Sequence, residues 1–279
     1  MEICTGNHFL MDDQILPASC FQYYLKENTP GIYEVIRIID SVPLFSEKHI
    51  NRLMNSATRS DITLAFSGDY IMKGIYDLVK INGILNGNVK VLLHYIGDKA
   101  NPDLHWYIYF IPHHYPAEEA YSEGVAVILF WAERANPNVK AANSDMRITI
   151  DNELKERRAY EALLVDSHGN ITEGSRSNVF FVKNQTLFTA SQDTILPGIT
   201  RDAILEICKK SHYQVIEERV PHENVHLMDA VFITGTSPKV LPVQRIDNFI
   251  FESARNPVVL NIIRAYNKLI NNYIQTNKL

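Results

Sequence analysis

The sequence predicts an α/β (α+β) protein of two domains. A small N-terminal α/β domain covers residues 1–112 and a larger one 122–279, with a linker at 113–121. Three observations predict this. A chain of 279 residues, 46% hydrophobic and 21% charged, can bury one large core or two modest ones. Short β-rich runs bounded by turn residues alternate with segments whose apolar residues repeat at helical spacing. And His113-His-Tyr-Pro-Ala-Glu-Glu-Ala-Tyr121 is polar and interrupted by proline, as a connection is. The net charge of −5, without a dense Lys/Arg block, argues against nucleic acid or an anionic membrane as partner. The longest apolar stretch, residues 125–132, is too short to span a bilayer. Met1-Glu-Ile lacks the basic start of a signal peptide, and Cys4, Cys20 and Cys208 have no metal-ligand spacing. Free thiols in a cytoplasmic protein are the expectation.

In the first domain, residues 22–25 have strand character and Asn28-Thr-Pro-Gly31 is a turn. Residues 33–39 are β-rich, and Asp40-Ser-Val-Pro43 turns into a short partner ending at Phe45. Ser46 then stands as N-cap of a helix gathering Ile50, Leu53, Met54 and Ala57 on one face. Arg52 falls off that face, where a charge is normally solvated. A second helix follows at 70–82, and strands at 89–96 and 105–111. His113 and His114 point apart in extended chain, so no metal site is expected.

The second domain opens with a buried strand at 124–131, and a loop through Asn136-Pro137 leads to Lys140, which by itself reads as a surface charge. A helix at 145–160 precedes the central stretch. There, residues 163–165 are apolar, Ser167-His-Gly-Asn170 turns with Gly169 or Asn170 at positive φ, and residues 179–182 are apolar again. Lys183-Asn-Gln185 makes the next turn, toward Leu187 and Phe188. Between the strands lies Glu173, with Gly174 beside it to let a backbone or ligand come close. Alone, this reads as a hairpin with an exposed glutamate. Leu196-Pro-Gly-Ile-Thr-Arg201 opens a helix burying Ala203, Ile204, Ile207 and Cys208, whose first N–H groups converge at its positive end. An edge strand at 215–219, a buried strand at 229–234 ending in Gly235-Thr-Ser-Pro238, and a helix after Pro257 complete the chain. That last helix carries Val259, Ile262, Ile263, Tyr266, Ile270 and Tyr273 on one stripe.

Taken in order, Tyr33-Glu34, His49-Ile-Asn-Arg52, Asn138-Val-Lys-Ala-Ala-Asn143, Ile171-Thr-Glu-Gly174, Leu196 to Arg201 and Gly235-Thr-Ser237 resemble the fold-type IV pyridoxal-phosphate enzymes. That family includes branched-chain-amino-acid aminotransferase, D-amino-acid aminotransferase and aminodeoxychorismate lyase. The resemblance implies a homodimer with pyridoxal 5'-phosphate between the two domains of each subunit. It makes Lys140 the amine that takes the aldehyde and later the general base, and Glu173 the anion at the pyridine nitrogen. It gives phosphate to the amides of Ile199 and Thr200, to Thr236, and to the two-pronged guanidinium of Arg52. It places Tyr33 and Ser237 at the substrate.

The chain also departs from the family. Thr29-Pro-Gly31 stands where many relatives have Gly-Asp-Gly, Ser144-Asp145 where branched-chain enzymes have a tyrosine, and Asp229-Ala230 where a second acid is common. On strand 89–96, Lys90, His94 and Tyr95 are the polar candidates for holding a substrate carboxylate. The first reading is an aminotransferase acting on an amino acid, of branched-chain or D-amino-acid type, and a 2-keto acid. A lyase of the aminodeoxychorismate type is the alternative, though its Thr-Thr pair is replaced by Glu34-Val35; a non-catalytic binder of the cofactor is another.

Overall fold

The computed structural model describes residues 2–25, 31–96, 103–134, 136–140 and 144–278. Asn143 and most of the turn expected at 28–31 lie outside the described residues. The chain divides into two units. One comprises Met1–His114, Val139–Ala142 and Ile270–Leu279, the other Tyr115–Asn138 and Asn143–Leu269.

The first unit contains β1 (His8–Met11), β2 (Gln14–Pro17), α1 (Phe21–Tyr24), β3 (Gly31–Ile39), β4 (Val42–Pro43), α2 (Ser46–Arg59), α3 (Gly68–Asn82), β5 (Gly87–Ile96) and β6 (Asp103–Ile111). Its strands form an antiparallel sheet in the order β2-β1-β6-β5-β3-β4. Strand alternation explains its two faces. Ile32, Ile36 and Ile38 of β3 join Val89, Val91 and Leu93 of β5 and pack against Ile50 and Leu53 of α2 and Ile71, Ile75 and Leu78 of α3. The opposite face gathers Leu92, Tyr107 and Tyr109 with Phe9, Phe21 and Leu25, and Tyr33 packs against them.

Two local expectations are corrected here. Residues 22–25 are not a strand: Phe21 starts a single helical turn because its ring packs edge-on against Phe9, with centroids 5.1 Å apart. Tertiary packing overrides the β-propensity of the adjacent tyrosines. Ser46 is not the N-cap of α2; Phe45 is, at φ 52, with its ring 4.7 Å from that of Tyr273. The Ser46 hydroxyl points instead to Met72 Sδ at 3.5 Å.

The second unit contains α4 (Glu118–Glu123), which begins inside the stretch expected to be linker. There follow β7 (Val125–Trp131), α5 (Ser144–Glu156), β8 (Glu161–Val165), β9 (Asn170–Gly174), β10 (Asn178–Lys183), β11 (Thr186–Thr189) and α6 (Ile199–Lys210). Then come β12 (Val215–Glu217), β13 (Val220–Pro221), β14 (Ala230–Gly235), β15 (Lys239–Ile246), β16 (Phe249–Ile250) and α7 (Pro257–Asn277), whose last residues group with the first unit. The mixed sheet runs β12-β11-β10-β14-β15-β7-β8-β9-β13, with β16 on β15; β7 pairs in parallel with both β8 and β15. Gly169 takes φ 81 in the β8–β9 turn, as expected. At the sheet's centre Phe180 and Phe232 stack at 5.0 Å between strands β10 and β14. Among the described residues no helix is long and apolar enough to cross a membrane.

Candidate active site

In the first unit the sequence-predicted Tyr33, Arg52 and Lys140 come together around Glu34. Glu34 lies on the inward phase of β3, between Ile32 and Ile36, and is fully buried. Its carboxylate is tolerable there because α2 turns His49 and Arg52 toward it from one face, three residues apart. Arg52 donates from Nε to Oε1 at 2.6 Å and from Nη2 to Oε2 at 2.7 Å, and His49 Nδ1 meets Oε2 at 2.8 Å. Arg52 is therefore buried at 8% exposure, not solvated as its position off the apolar stripe suggested. Burial pushes the Glu34 carboxyl up, but the charges of Arg52 and Lys140 and the bonds from Arg52 and His49 outweigh it. The net result is a carboxyl well below its ordinary range. Burial also holds the His49 imidazole below its usual value despite its bond to Glu34, so near neutral pH it is an uncharged donor.

Lys140 runs beside the outer edge of β3. Its carbonyl accepts the Tyr33 N–H at 3.0 Å, and its ammonium lies 3.9 Å from Glu34 Oε2 and 5.4 Å from the Tyr33 ring centroid. The side chain is 16% exposed, so it is not the surface charge that a lone lysine suggests. Lys90, from β5, sits 4.8 Å from the same ring and pairs with Glu2.

In the second unit Glu173 is 3% exposed, which corrects the picture of an exposed hairpin glutamate. It shares the inward phase of β9 with Ile171. Its Oε2 accepts the Leu196 N–H at 3.2 Å, and its Oε1 lies 2.8 Å from Arg134 Nε, near enough for an ion pair but off line for a hydrogen bond. Burial pushes its carboxyl up to about 7, against the pull of Arg134 and the Leu196 amide. A second buried acid, Glu161, organises the turn that follows. It accepts from Ser175 Oγ at 2.7 Å, Ser177 Oγ at 2.9 Å and the amides of Ala162 and Arg176. Gly174 is required there, since a Cβ would collide with Ser177 Oγ.

The predicted phosphate residues other than Arg52 occupy two chain turns of this unit. Ile199 and Thr200 form the first turn of α6 behind Gly198, and the first helical bond runs from Asp202 N–H to the Gly198 carbonyl at 2.9 Å. The amides of Ile199 and Thr200 thus belong to the open end of the helix. A Cβ at Gly198 would strike Asn178 Oδ1, whose amide nitrogen donates to the Leu196 carbonyl at 3.1 Å. Thr236 and Ser237 lie half-buried in the tight turn between β14 and β15, where Gly235 pairs with Lys239.

The class IV amino-transferase family model matches residues 31–246, well over half of the chain. This chain belongs to the class IV aminotransferases. It is 31% identical to the D-alanine aminotransferase of Bacillus licheniformis over 246 residues, covering 84% of this chain and 86% of that one. It is 29% identical over 256 residues to the branched-chain-amino-acid aminotransferase of Escherichia coli strain K12, covering 85% and 82%. Among solved structures, that of Escherichia coli branched-chain amino acid aminotransferase superposes with a TM-score of 0.86 at 24% identity, over 95% of each chain. The branched-chain aminotransferase of the archaeon Thermoproteus uzoniensis, solved with norvaline, gives 0.84 at 20% identity over 97% and 98%. The fold of this class IV aminotransferase is the fold of those enzymes, and its activity is amino-group transfer.

Three residues beside the predicted ones had no assigned part in the sequence reading: Glu34, His49 and Arg134. Glu34 carried a readable signal, a carboxylate on the apolar phase of a strand. Arg134, in a loop with no period, carried none.

Proposed function

We propose that this aminotransferase uses pyridoxal 5'-phosphate to move an amino group between an amino acid of branched-chain or D-amino-acid type and a 2-keto acid. The observation that carries the reading is Glu173, a carboxyl buried on a strand and pushed up to about 7 by that burial. A protonated pyridine nitrogen is the partner such a group suits, because a charge-assisted bond strengthens where water is excluded. The remaining residues fit the cofactor too. The α6 N-terminus, kept open by Gly198, offers amides to a phosphate, and the turn at Thr236 adds a hydroxyl. Arg52 gives Nε and Nη2 to Glu34, and, as the resemblance assigns it, the same guanidinium would also contact phosphate. Relatives of both substrate types support the class of amino acid and leave the hand of the substrate to experiment.

When bound, pyridoxal phosphate supplies an aldehyde for the amino group and a ring that draws electrons from the substrate. Lys140 would hold the cofactor through its ε-amine and would serve as general base for the substrate Cα proton. Glu173 keeps a proton on the ring nitrogen. Tyr33 and Ser237 border the substrate. We further infer a homodimer working in the cytoplasm, in keeping with the family and with three cysteines that form no disulfide.

Borohydride reduction of the holoprotein followed by peptide mapping tests the reading. Label on Lys140 is the expected result, and label on Lys183 or Lys239 overturns it. Incubation with L- and D-amino acids should bleach the cofactor for one hand and fix the substrate type. Sedimentation of the holoprotein as a monomer alone would remove the dimer.

A further inference from the structure

We propose that Glu34 is a positioning residue for Lys140: gripped by Arg52 and His49, its carboxylate anchors the ε-amine at the end of β3 and favours its ammonium form. The inference rests on the reading of Lys140 as the reacting amine and adds the group that governs it.

Three features of the cluster carry it. Glu34 has no exposed surface, so solvent does little to screen a charge only 3.9 Å from its Oε2. Its own position is fixed, with Oε1 on Arg52 Nε and Oε2 shared by Arg52 Nη2 and His49 Nδ1. A carboxylate held this way cannot follow a wandering lysine; the lysine must come to it. The Lys140 backbone is fastened at the same place through the Tyr33 N–H, which shortens the distance the side chain must search.

Among the charges that the described residues place around the amine, Glu34 is the carboxylate at 3.9 Å. From β3, Tyr33 faces the amine with its ring and Glu34 with its carboxylate. From α2 come Arg52, a fixed cation, and His49, which donates to Glu34. From β5, Lys90 shares the Tyr33 ring and is itself paired with Glu2. Two permanent or paired cations thus stand near the amine and disfavour a third ammonium there, and the Glu34 carboxylate opposes them. A carboxylate whose charge was neutralised by Arg52 alone would leave the lysine's protonation untouched, and this separates the two roles.

The test uses the full-length chain freed of cofactor, so that its readout is independent of turnover. Lys140 is labelled with dinitrofluorobenzene across a pH series, and the rate at that residue is read by peptide mapping in wild type and Glu34→Gln. Loss of the carboxylate should move the labelling midpoint to lower pH by about one unit, so that below the midpoint Lys140 labels about tenfold faster. Superimposed profiles, or a move to higher pH, overturn the proposal. Circular dichroism reports whether the Gln variant folds. If it does not, Glu34→Asp decides: the charge is withdrawn by one methylene, so a smaller move in the same direction supports the proposal and an unchanged midpoint overturns it. Borohydride mapping keeps the two ideas apart. Label on another lysine removes the reading of Lys140 and this proposal together, whereas label on Lys140 with unshifted profiles removes this proposal alone.

Discussion

Glu34 and Glu173 are both buried carboxylates on the inward phase of a strand, each beside an arginine, yet their environments push them in opposite directions. Glu34 has the fork of Arg52, the imidazole of His49 and the nearby ammonium of Lys140, and ionises readily. Glu173 has one off-line contact with Arg134 and one amide, and burial pushes it up to about 7. The difference teaches that burial alone does not decide the state of an acid; the cations beside it do. Donors without a close cation do not suffice, since the four-donor Glu161 is also pushed up by burial. It also separates two jobs. A carboxylate with its full complement of donors organises its neighbours, whereas one held near neutrality responds strongly to an added cation.

Removing each arginine should break the comparison unequally. Arg52→Met leaves a buried charge with much of its support gone and should cost about 3–5 kcal/mol in urea unfolding at pH 7. Because the folded Glu34 carboxyl lies below its ordinary value, the wild-type contribution is present above about pH 4.5 and is lost only as pH falls below that. A cost under 1 kcal/mol would mean that Arg52 is not a structural partner of Glu34.

Glu173→Gln should act on chemistry and on stability. Holoenzyme turnover should fall about 100-fold, equivalent to about 2.7 kcal/mol of barrier, because an amide cannot keep the ring nitrogen protonated. In the cofactor-free protein the sign on stability is opposite to that for Glu34. A folded carboxyl at about 7 holds its proton more tightly than the unfolded chain does, so stability falls as pH rises from about 4.5 to 7. The decline attributable to this group is on the order of 3 kcal/mol, and thermal melts of Glu173→Gln should lack it. Parallel slopes for variant and wild type would contradict the assignment.

Arg134→Met should cost less than Arg52→Met, about 1–3 kcal/mol, and more at pH 8 than at pH 5, where Glu173 can take up a proton. The smallest effect is steric. Gly198→Ala should cost about 1–3 kcal/mol through its collision with Asn178, and much of that should return in the double variant with Asn178→Gly. Equal melts for the single and double variants would show that Asn178 is not the obstacle.

Much of this was legible from the sequence, for identifiable reasons. Many elements follow periodicities that tertiary packing reinforces, so β3, β5, α3 and α7 fall where their apolar residues put them, whereas β15, between β14 and β7 in the large sheet, was not anticipated. The first hairpin was not legible because Asp12 turns it at positive φ without a glycine to mark the place. Arg52 was misread as solvated because its helix face is decided by a carboxylate on another strand. Glu173 was misread as exposed because the turn after it advertises itself, while the phase shared with Ile171 does not. Lys140 and the α6 N-terminus were singled out through the order of motifs along the chain; the pairing of Lys140 with Glu34 needed coordinates.

The bond from the Tyr33 amide to the Lys140 carbonyl offers a probe that needs no label. β4 pairs only with Ile38 and Ile39, so at Tyr33 the outer edge of β3 is covered by the lysine's own main chain. Deuterium uptake at that one amide therefore reports on the contact between β3 and the main chain of Lys140. A residue-resolved exchange measurement, with and without pyridoxal phosphate, would read the stability of that contact from a single main-chain bond.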